Sequence, residues 1–197
     1  MKEIKLPEPK YKGDVSVEEA ILRRRSIRDF SSKSISIENL SQILWAAQGI
    51  TGREGGYKLR AAPSAGALYP VEIYVVMEEG VYHYDPKEHM LHQTSNEDSR
   101  EKLCRAALSQ EFIAEAPVDI VITAVFERTR IKYGERDVRY VYAEAGHVSQ
   151  NIYLQCVALD LGTVTVGAFH DERVQNVLGI PSDHMPIYIM PVGYERR

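Results

Sequence analysis

The sequence predicts a single α+β unit, and three observations carry that prediction. Val71–Met77, Val81–Tyr84 and Met90–Thr94 read as successive strands of a meander, turned at Glu79-Gly80 and Asp85-Pro86. Val118 to Phe126 is an almost unbroken apolar run, the pattern of a central strand covered on both faces. From near Asp137 onward, Val138, Val141, Ala145, Val148, Ile152, Gln155 and Leu159 recur at alternating spacings of three and four, the seam of one long helix. No internal repeat, low-complexity tract or linker divides the 197 residues, so one domain is expected over 1–197.

Each remaining element has its own local reason. Met1 to Asp14 is polar and carries Pro7 and Pro9, which suits an extended arm. Ser16, three residues before Glu19, caps a short helix continued by Val17, Ala20, Ile21 and Arg24. Ser36 caps a second helix, with Leu40, Ile43, Leu44 and Ala47 inward and Gly49 at its end. The glycine-rich stretch from Gly49 to Gly56 reads as a mobile loop. A helix after Ser95 or Asn96 packs through Leu103, Ala107 and Leu108. The long helix stops at Gly162 and spans about 37 Å at about 1.5 Å per residue, and its apolar seam is suited to pair with another long helix. Thr163–Ala168 reads as a strand, Asp171–Leu178 as a short helix closed by Gly179 and Pro181, and Ile187–Val192 as the last strand.

Composition narrows the function. Lys plus Arg is 24 and Asp plus Glu is 28, a formal charge of −4, which gives no general drive toward nucleic acid or an anionic membrane. With no charged-then-apolar leader and no apolar run long enough to cross a bilayer, a cytoplasmic protein is expected. Cys104 and Cys156 lie in helical apolar patterns and read as reduced core residues, not as a disulfide or a zinc site. His83, His89 and His92 surround the predicted hairpin without the ligand spacing of a catalytic metal.

Against this acidic balance, Arg23-Arg24-Arg25-Ser26-Ile27-Arg28-Asp29-Phe30 stands out. Guanidinium is planar, permanently charged and bidentate, which suits a dianionic phosphate. If the chain is extended past Arg24, then Arg24, Ser26 and Arg28 share one side. A plainer account competes: basic residues in a last helical turn complement the helix dipole by about 0.3–1 kcal/mol each. Ala62-Pro63-Ser64-Ala65-Gly66-Ala67-Leu68-Tyr69-Pro70 either lets a backbone approach a flat ligand or is a tight connection before a strand. Gly162 to Phe169 either leaves backbone N–H groups open to a heterocycle or is a plain helix–strand junction. Lys132-Tyr133 either offers a proton donor and acceptor or belongs to an ordinary loop. His147 and Gln150, one turn apart, suit hydrogen bonding at a helix interface first and a ligand contact second. Other phosphate and nucleophile signatures are missing from the sequence: no Gly-x-Gly-x-x-Gly after a strand, no Gly-Lys-Ser/Thr, no Gly-x-Ser-x-Gly.

The arginine motif at 24–30, the Pro-Ser-Ala-Gly-Ala-Leu-Tyr-Pro motif at 63–70, Glu-Ala-Gly-His-Val-Ser-Gln-Asn-Ile-Tyr-Leu at 144–154 and Leu-Gly-Thr-Val-Thr-Val-Gly-Ala-Phe at 161–169 occur in this order. Together they resemble the nitroreductase family, from about Ser16 to Gly193. The second motif, with Lys-Tyr-Gly-Glu-Arg at 132–136, resembles the branch containing the dehydrogenases of thiazole and oxazole peptide synthesis.

The resemblance implies a nitroreductase-like fold: a central, mainly antiparallel sheet flanked by helices, with a long helix at a dimer interface. It implies an FMN-dependent homodimer with flavin between the subunits. Arg24, Arg25, Ser26 and Arg28 would hold the phosphate and ribityl chain, with Arg28 also near the pyrimidine edge. Pro63, Ser64, Ala65, Gly66 and Ala67 would reach the flavin from the partner, and Gly167 and Ala168 would offer backbone donors near its redox-active nitrogen. His147, Gln150 and Asn151 would lie in the dimer seam. Arg196 and Arg197 match a basic position that closes on the phosphate. Many nitroreductases carry a Ser-Asn pair where this chain has Ala65 to Ala67, which argues against nitroaromatic reduction as its physiological role.

The expected activity is two-step hydride transfer from NAD(P)H through FMN to a small organic acceptor, quinone- or nitroaromatic-like. Lys132 and Tyr133 are the candidates for proton transfer in the second step. Two other readings stand beside it: an FMN-dependent azoline-type dehydrogenase reoxidised by oxygen, and a flavin-binding module that performs no catalysis.

Overall fold

Seven strands build the central sheet of the computed structural model, which describes residues 2–196. Its order is β1 (Glu3–Lys5), β6 (Met90–Ser95), β5 (Gly80–Asp85), β4 (Val71–Met77), β7 (Val118–Ala124), β9 (Met185–Gly193) and β8 (Gly162–Thr163). Every pairing between these strands is antiparallel. The meander expected from the two turns is β4–β5–β6. All seven residues of β7 are buried, as its continuous apolar run demands.

Two helical layers cover the sheet. On one face, Leu40, Ile43 and Leu44 of α2 (Ile37–Gln48) meet Ile73 and Val75 of β4 and Ile120 and Ile122 of β7. Val141, Ala145, Val148 and Ile152 of α6 (Asp137–Ala158) complete that core. On the other, α3 (Arg100–Ala106), α4 (Phe112–Glu115) and α7 (Asp171–Leu178) pack Leu103, Ile113, Val174 and Leu178 against Tyr74, Val76, Val121 and Ile189. Burying one such aliphatic side chain contributes about 1.5–3 kcal/mol. Cys104 and Cys156 are free and buried, and burial pushes both thiols up. No helix among the described residues is long and apolar enough to cross a membrane.

The caps are as expected. Ser16 Oγ accepts from Glu19 N–H at the start of α1 (Val17–Arg23), and Ser36 Oγ accepts from Asn39 N–H at the start of α2. The N-terminal arm is extended but not idle, because its Glu3–Lys5 segment pairs with β6 at the sheet edge.

Four expectations need correction. The stretch Gly49–Gly56 is not a loose loop: β2 (Ile50–Glu54) pairs with β3 (Tyr57–Arg60) across Gly55-Gly56, whose φ values of 54° and 84° make a two-residue hairpin turn. The apolar seam of α6 does not face a second helix of its own kind. Its Val141, Ala145, Val148 and Ile152 are fully buried in the chain's own core; of the seam Val138, at the N-terminal end, is exposed, as is the flanking Tyr142, and the opposite face carries the exposed His147 and Gln150. That helix also stops at Ala158, short of Gly162, because Asp160 turns to φ 54°. Finally, of the predicted 163–168 strand only Thr163 joins the sheet, in a two-residue strand with Gly162, with one further bridge at Val166–Ile189.

Candidate functional site

Helix α1 ends where Arg24 leaves helical backbone, at φ −52° and ψ 122°. The chain then runs as a strap along the rim of the sheet. Ser26 makes a parallel bridge with Thr163 of β8, and Ile27 N–H donates to Thr163 O at 3.0 Å. The approach is so close that a Cβ on Gly162 would stand 2.7 Å from Ile27 Cβ. At the far end Phe30 is buried and bridged to Glu195, and Ser31 N–H donates to Tyr194 O at 2.8 Å.

Alternation along this strap takes Arg24 and Ser26 to one place. The Arg24 guanidinium lies 5.2 Å from the centroid of the Tyr153 ring, and Ser26 Oγ is 3.3 Å from Tyr153 Oη. Thr165 N–H donates to the same Oη at 2.8 Å. Burial alone would push this phenol up; hydrogen bonding from Ser26 and Thr165 and the Arg24 charge outweigh it, and the net direction is down. Tyr153 therefore joins α6, the strap and the 162–168 segment. Sequence reasoning missed it, since within the helical pattern it reads as one more core position.

The candidate arginines divide by what they touch. Arg25 Nη1 donates to Leu22 O at 3.0 Å and Arg24 O at 2.7 Å, so it caps α1, as the plainer account of the cluster has it. Arg23 is neutralised by Glu19 and Asp160. Arg24 and Arg28 make no salt bridge among the described residues. Arg196 lies against the strap but is committed there: Nε and Nη2 donate to Phe30 O at 3.1 and 2.8 Å, and the group pairs with Asp29 and Glu115. It braces the strap and does not stand free for a phosphate. Arg197 lies outside the described residues. Gly167 and Ala168 are exposed, and neither N–H has a protein acceptor among the described residues.

A second group of candidates gathers at the 63–70 loop. Gly66, Ala67 and Tyr69 hold φ values of 63°, 53° and 49°, the left-handed region. Lys132 and Tyr133 are not in a loop. They end α5 (Glu127–Tyr133), and a Cβ added to Gly66 would sit 2.8 Å from both Lys132 Nζ and Tyr133 Oη. The structure thus brings together two candidate groups separated by more than sixty residues in the chain. His147 Nδ1 lies 3.3 Å from Pro63 O. Ser64 departs from expectation: its hydroxyl accepts from Tyr69 N–H at 2.9 Å and points inward, leaving only backbone for a ligand. Pro63 is exposed and Ala65 half-buried. No hydrogen bond or salt bridge among the described residues joins this group to the strap.

Arg128, one turn before Lys132, anchors α5 to the loop. Its Nη1 donates to Tyr69 O at 3.1 Å and pairs with Glu72 of β4, whose Oε2 is 2.7 Å from His83 Nε2. Burial pushes the Glu72 carboxyl up, but the His83 hydrogen bond and the Arg128 charge prevail and hold it at about 2, below its usual 4.5. A carboxylate held low in the folded state contributes stability that is present above about pH 4.5 and lost as pH falls toward about 2. Glu72→Gln is expected to lower stability at pH 7 by about 2–3 kcal/mol and to flatten the acid limb of denaturant midpoints measured from pH 7 to pH 2. An acid limb as steep as that of the parent chain would refute this assignment.

His89 and His92 are likewise occupied, the former by Ser41 and Tyr84 and the latter by Glu3.

With this geometry in view, residues 21–194 match the family model described as the nitroreductase family. The chain belongs to the nitroreductase family. A nitroreductase-family protein of Methanocaldococcus jannaschii is 43% identical over 197 residues, covering 97% of this chain and 96% of that one. A nitroreductase-family crystal structure from Ralstonia eutropha superimposes with a TM-score of 0.89 at 29% identity, over 100% of this chain and 91% of that one. The trifolitoxin-processing protein of Rhizobium leguminosarum bv. trifolii is 29% identical over 135 residues, 63% of this chain and 36% of that protein. The chain is thus a nitroreductase-family oxidoreductase with a trifolitoxin-processing protein among its relatives.

Proposed function

We propose that this nitroreductase-family chain is an FMN-dependent NAD(P)H oxidoreductase, a cytoplasmic homodimer that reduces a small organic acceptor of quinone or nitroaromatic type in two hydride steps. One observation carries the reading: two guanidiniums without carboxylate partners among the described residues, Arg24 and Arg28, stand on a strap tied through Tyr153 to a segment bearing two backbone donors, at Gly167 and Ala168, that have no acceptor among those residues. Uncompensated cations beside open N–H groups fit an anionic group attached to a flat heterocycle. Those residues fit FMN.

FMN, when bound, supplies the hydride-accepting and hydride-donating ring. The chain supplies position and charge. Arg24 and Arg28 would hold the phosphate, Ser26 Oγ, its O–H turned to Tyr153, would accept from the polar chain, and the Gly167 and Ala168 N–H groups would orient the ring. The 63–67 loop completes the site from a second copy. The exposed apolar residues Val17, Ile21 and Leu22 of α1 and Val138 and Tyr142 of α6 support that pairing. Lys132 Nζ and Tyr133 Oη, against Gly66, deliver or remove a proton at the acceptor.

Purified protein is expected to be yellow, to bleach anaerobically with NADH or NADPH, and to regain colour with a quinone. Colourless protein that takes up no FMN would overturn the reading. The Lys132–Tyr133 pair and the trifolitoxin-processing relative support a second reading, an azoline-type dehydrogenase. Flavin that is bound but unbleached by either nucleotide, and reduced by an azoline peptide, would select it.

A further inference from the structure

We infer that Leu108 is a specificity-determining residue for the acceptor, an apolar wall beside the flavin ring that favours a flat acceptor with an apolar flank over a bare one. The inference rests on the reading that Gly167 and Ala168 orient that ring.

Three helices of the chain end in the same way, with one left-handed residue followed by an N–H that turns back five residues. In α7, Gly179 takes a φ of 63° and Ile180 N–H donates to Gln175 O at 3.2 Å. In α6, Asp160 takes 54° and Leu161 N–H donates to Cys156 O at 2.8 Å. In α3, Leu108 takes 58° and Ser109 N–H donates to Cys104 O at 2.9 Å. Glycine is the usual left-handed residue of such a cap, because a side chain there crowds the backbone. Gly179 follows that rule. Asp160 breaks it and puts its carboxylate on Arg23 Nη2 at 2.8 Å.

Leu108 breaks it with no such partner. The sequence leads one to expect it in the core with Leu103 and Ala107, but only those two enter, and the left-handed turn leaves Leu108 55% exposed. Ser109 also holds a φ of 58°, so two successive residues lack glycine's freedom. A left-handed leucine turned to water costs the fold twice, through backbone strain and through uncovered apolar surface. Its gain must lie outside the packing of the subunit.

Hydrogen bonds fix where this turn stands. Gln110 Nε2 donates to Ala107 O at 2.9 Å and to Ala168 O at 3.1 Å, so one amide clasps the residue before Leu108 to a residue whose own N–H is open. His170 N–H donates to Ala106 O at 3.0 Å, a second tie between the same two segments. The Cys104 thiol donates to Gln110 O at 3.4 Å and holds the turn from behind. A branched apolar side chain held beside the Gly167 and Ala168 donors is suited to cover the flank of a flat guest and to keep water from it.

The test compares Leu108→Gly, Leu108→Met and Ser109→Gly with the parent FMN-loaded protein, using 1,4-benzoquinone and 2-methyl-1,4-naphthoquinone. Binding of each quinone to the oxidised protein is read from flavin absorbance without nucleotide, and kcat/KM for each is read with NADH or NADPH. Denaturant midpoints of the apoproteins are measured alongside. Leu108→Gly is expected to keep or raise the midpoint, because glycine suits the cap. It is expected to lower the naphthoquinone-to-benzoquinone ratio, in affinity and in kcat/KM, by about tenfold, the low end of what one group in an apolar pocket decides. Leu108→Met, which keeps an apolar side chain, is expected to restore most of the ratio. Ser109→Gly relaxes the neighbouring strained position, keeps Leu108, and is expected to keep the parent ratio. An unchanged ratio in Leu108→Gly, a fall in its apoprotein midpoint, or an equal loss in Ser109→Gly would overturn the inference. Protein that takes up no flavin would refute the proposed activity and the inference with it, whereas flavin that bleaches with nucleotide beside an unchanged ratio removes the inference alone.

Discussion

Exchanging Arg24 and Arg28 together for glutamine is expected to weaken FMN binding by about two to four orders of magnitude, read by fluorescence titration of the apoprotein. Each charge-assisted contact to a phosphate is worth about 1.5–3 kcal/mol, and each tenfold change in affinity corresponds to about 1.4 kcal/mol. Two such contacts span that range. The apoprotein should scarcely register the change. Neither arginine makes a salt bridge among the described residues, and Arg24 gives up only its place over the Tyr153 ring, about 0.5–1 kcal/mol. Arg25→Gln is the contrasting variant. It removes a cap from α1 and is expected to cost a few tenths of a kcal/mol, to about 1 kcal/mol, with affinity retained. Wild-type affinity in the double variant would rule out the phosphate assignment.

Gly162→Ala is expected to lower stability by about 1–3 kcal/mol and to weaken FMN binding as well. The new methyl would lie 2.7–2.8 Å from three carbons of Ile27, a side chain stiff at its first torsion. The strand side cannot retreat, because Gly162 and Thr163 are paired to Gly193 and Val192. The strap must lift instead, and it breaks the Ile27 N–H to Thr163 O bond as it goes. Gly167→Ala makes the comparison. There a Cβ would come no nearer than 3.7 Å to Tyr188, and stability should hold. Denaturant midpoints of both apoproteins check the contrast, and equal midpoints would refute it.

Hydrophobic periodicity made most of the fold legible. The seam of α6, the inner face of α2, the buried run of β7 and the limits of α7 all follow from residues whose spacing is dictated by what they pack against. What that seam could not reveal was which body it packs against. The chain's own core and a second copy ask for the same apolar spacing, and the core took it. Two elements lacked the signal altogether. In β2 and β3 most residues are exposed, so no alternation marks them, and only the Gly55-Gly56 turn announces the hairpin. Helix α5 buries Thr129 alone and leaves Ile131 exposed; Arg128, bonded to Tyr69 O and Glu72, and Arg130, paired with Asp137, hold it in place.

The candidate site divides in the same way. Residue chemistry identified the arginine strap, the small-residue loop and the Lys132–Tyr133 pair. It could not say that the pair meets Gly66, that Ser64 turns inward, or that Arg196 is taken up by Asp29, Phe30 and Glu115. Those facts depend on distances between segments far apart in the chain. Tyr153 was hidden for a related reason: on a long helix, a polar group that organises its neighbours has the same address as one that merely fills space.

The strap's position on β8 has an effect on solubility too. A two-residue terminal strand would leave unpaired backbone facing outward, an invitation for neighbouring molecules to zip on. Ser26 and Ile27 occupy that border, so the segment bearing Arg24 and Arg28 also acts as a guard rail. Damage that unhooks it should therefore appear in two guises, as a paler preparation and as a cloudier one.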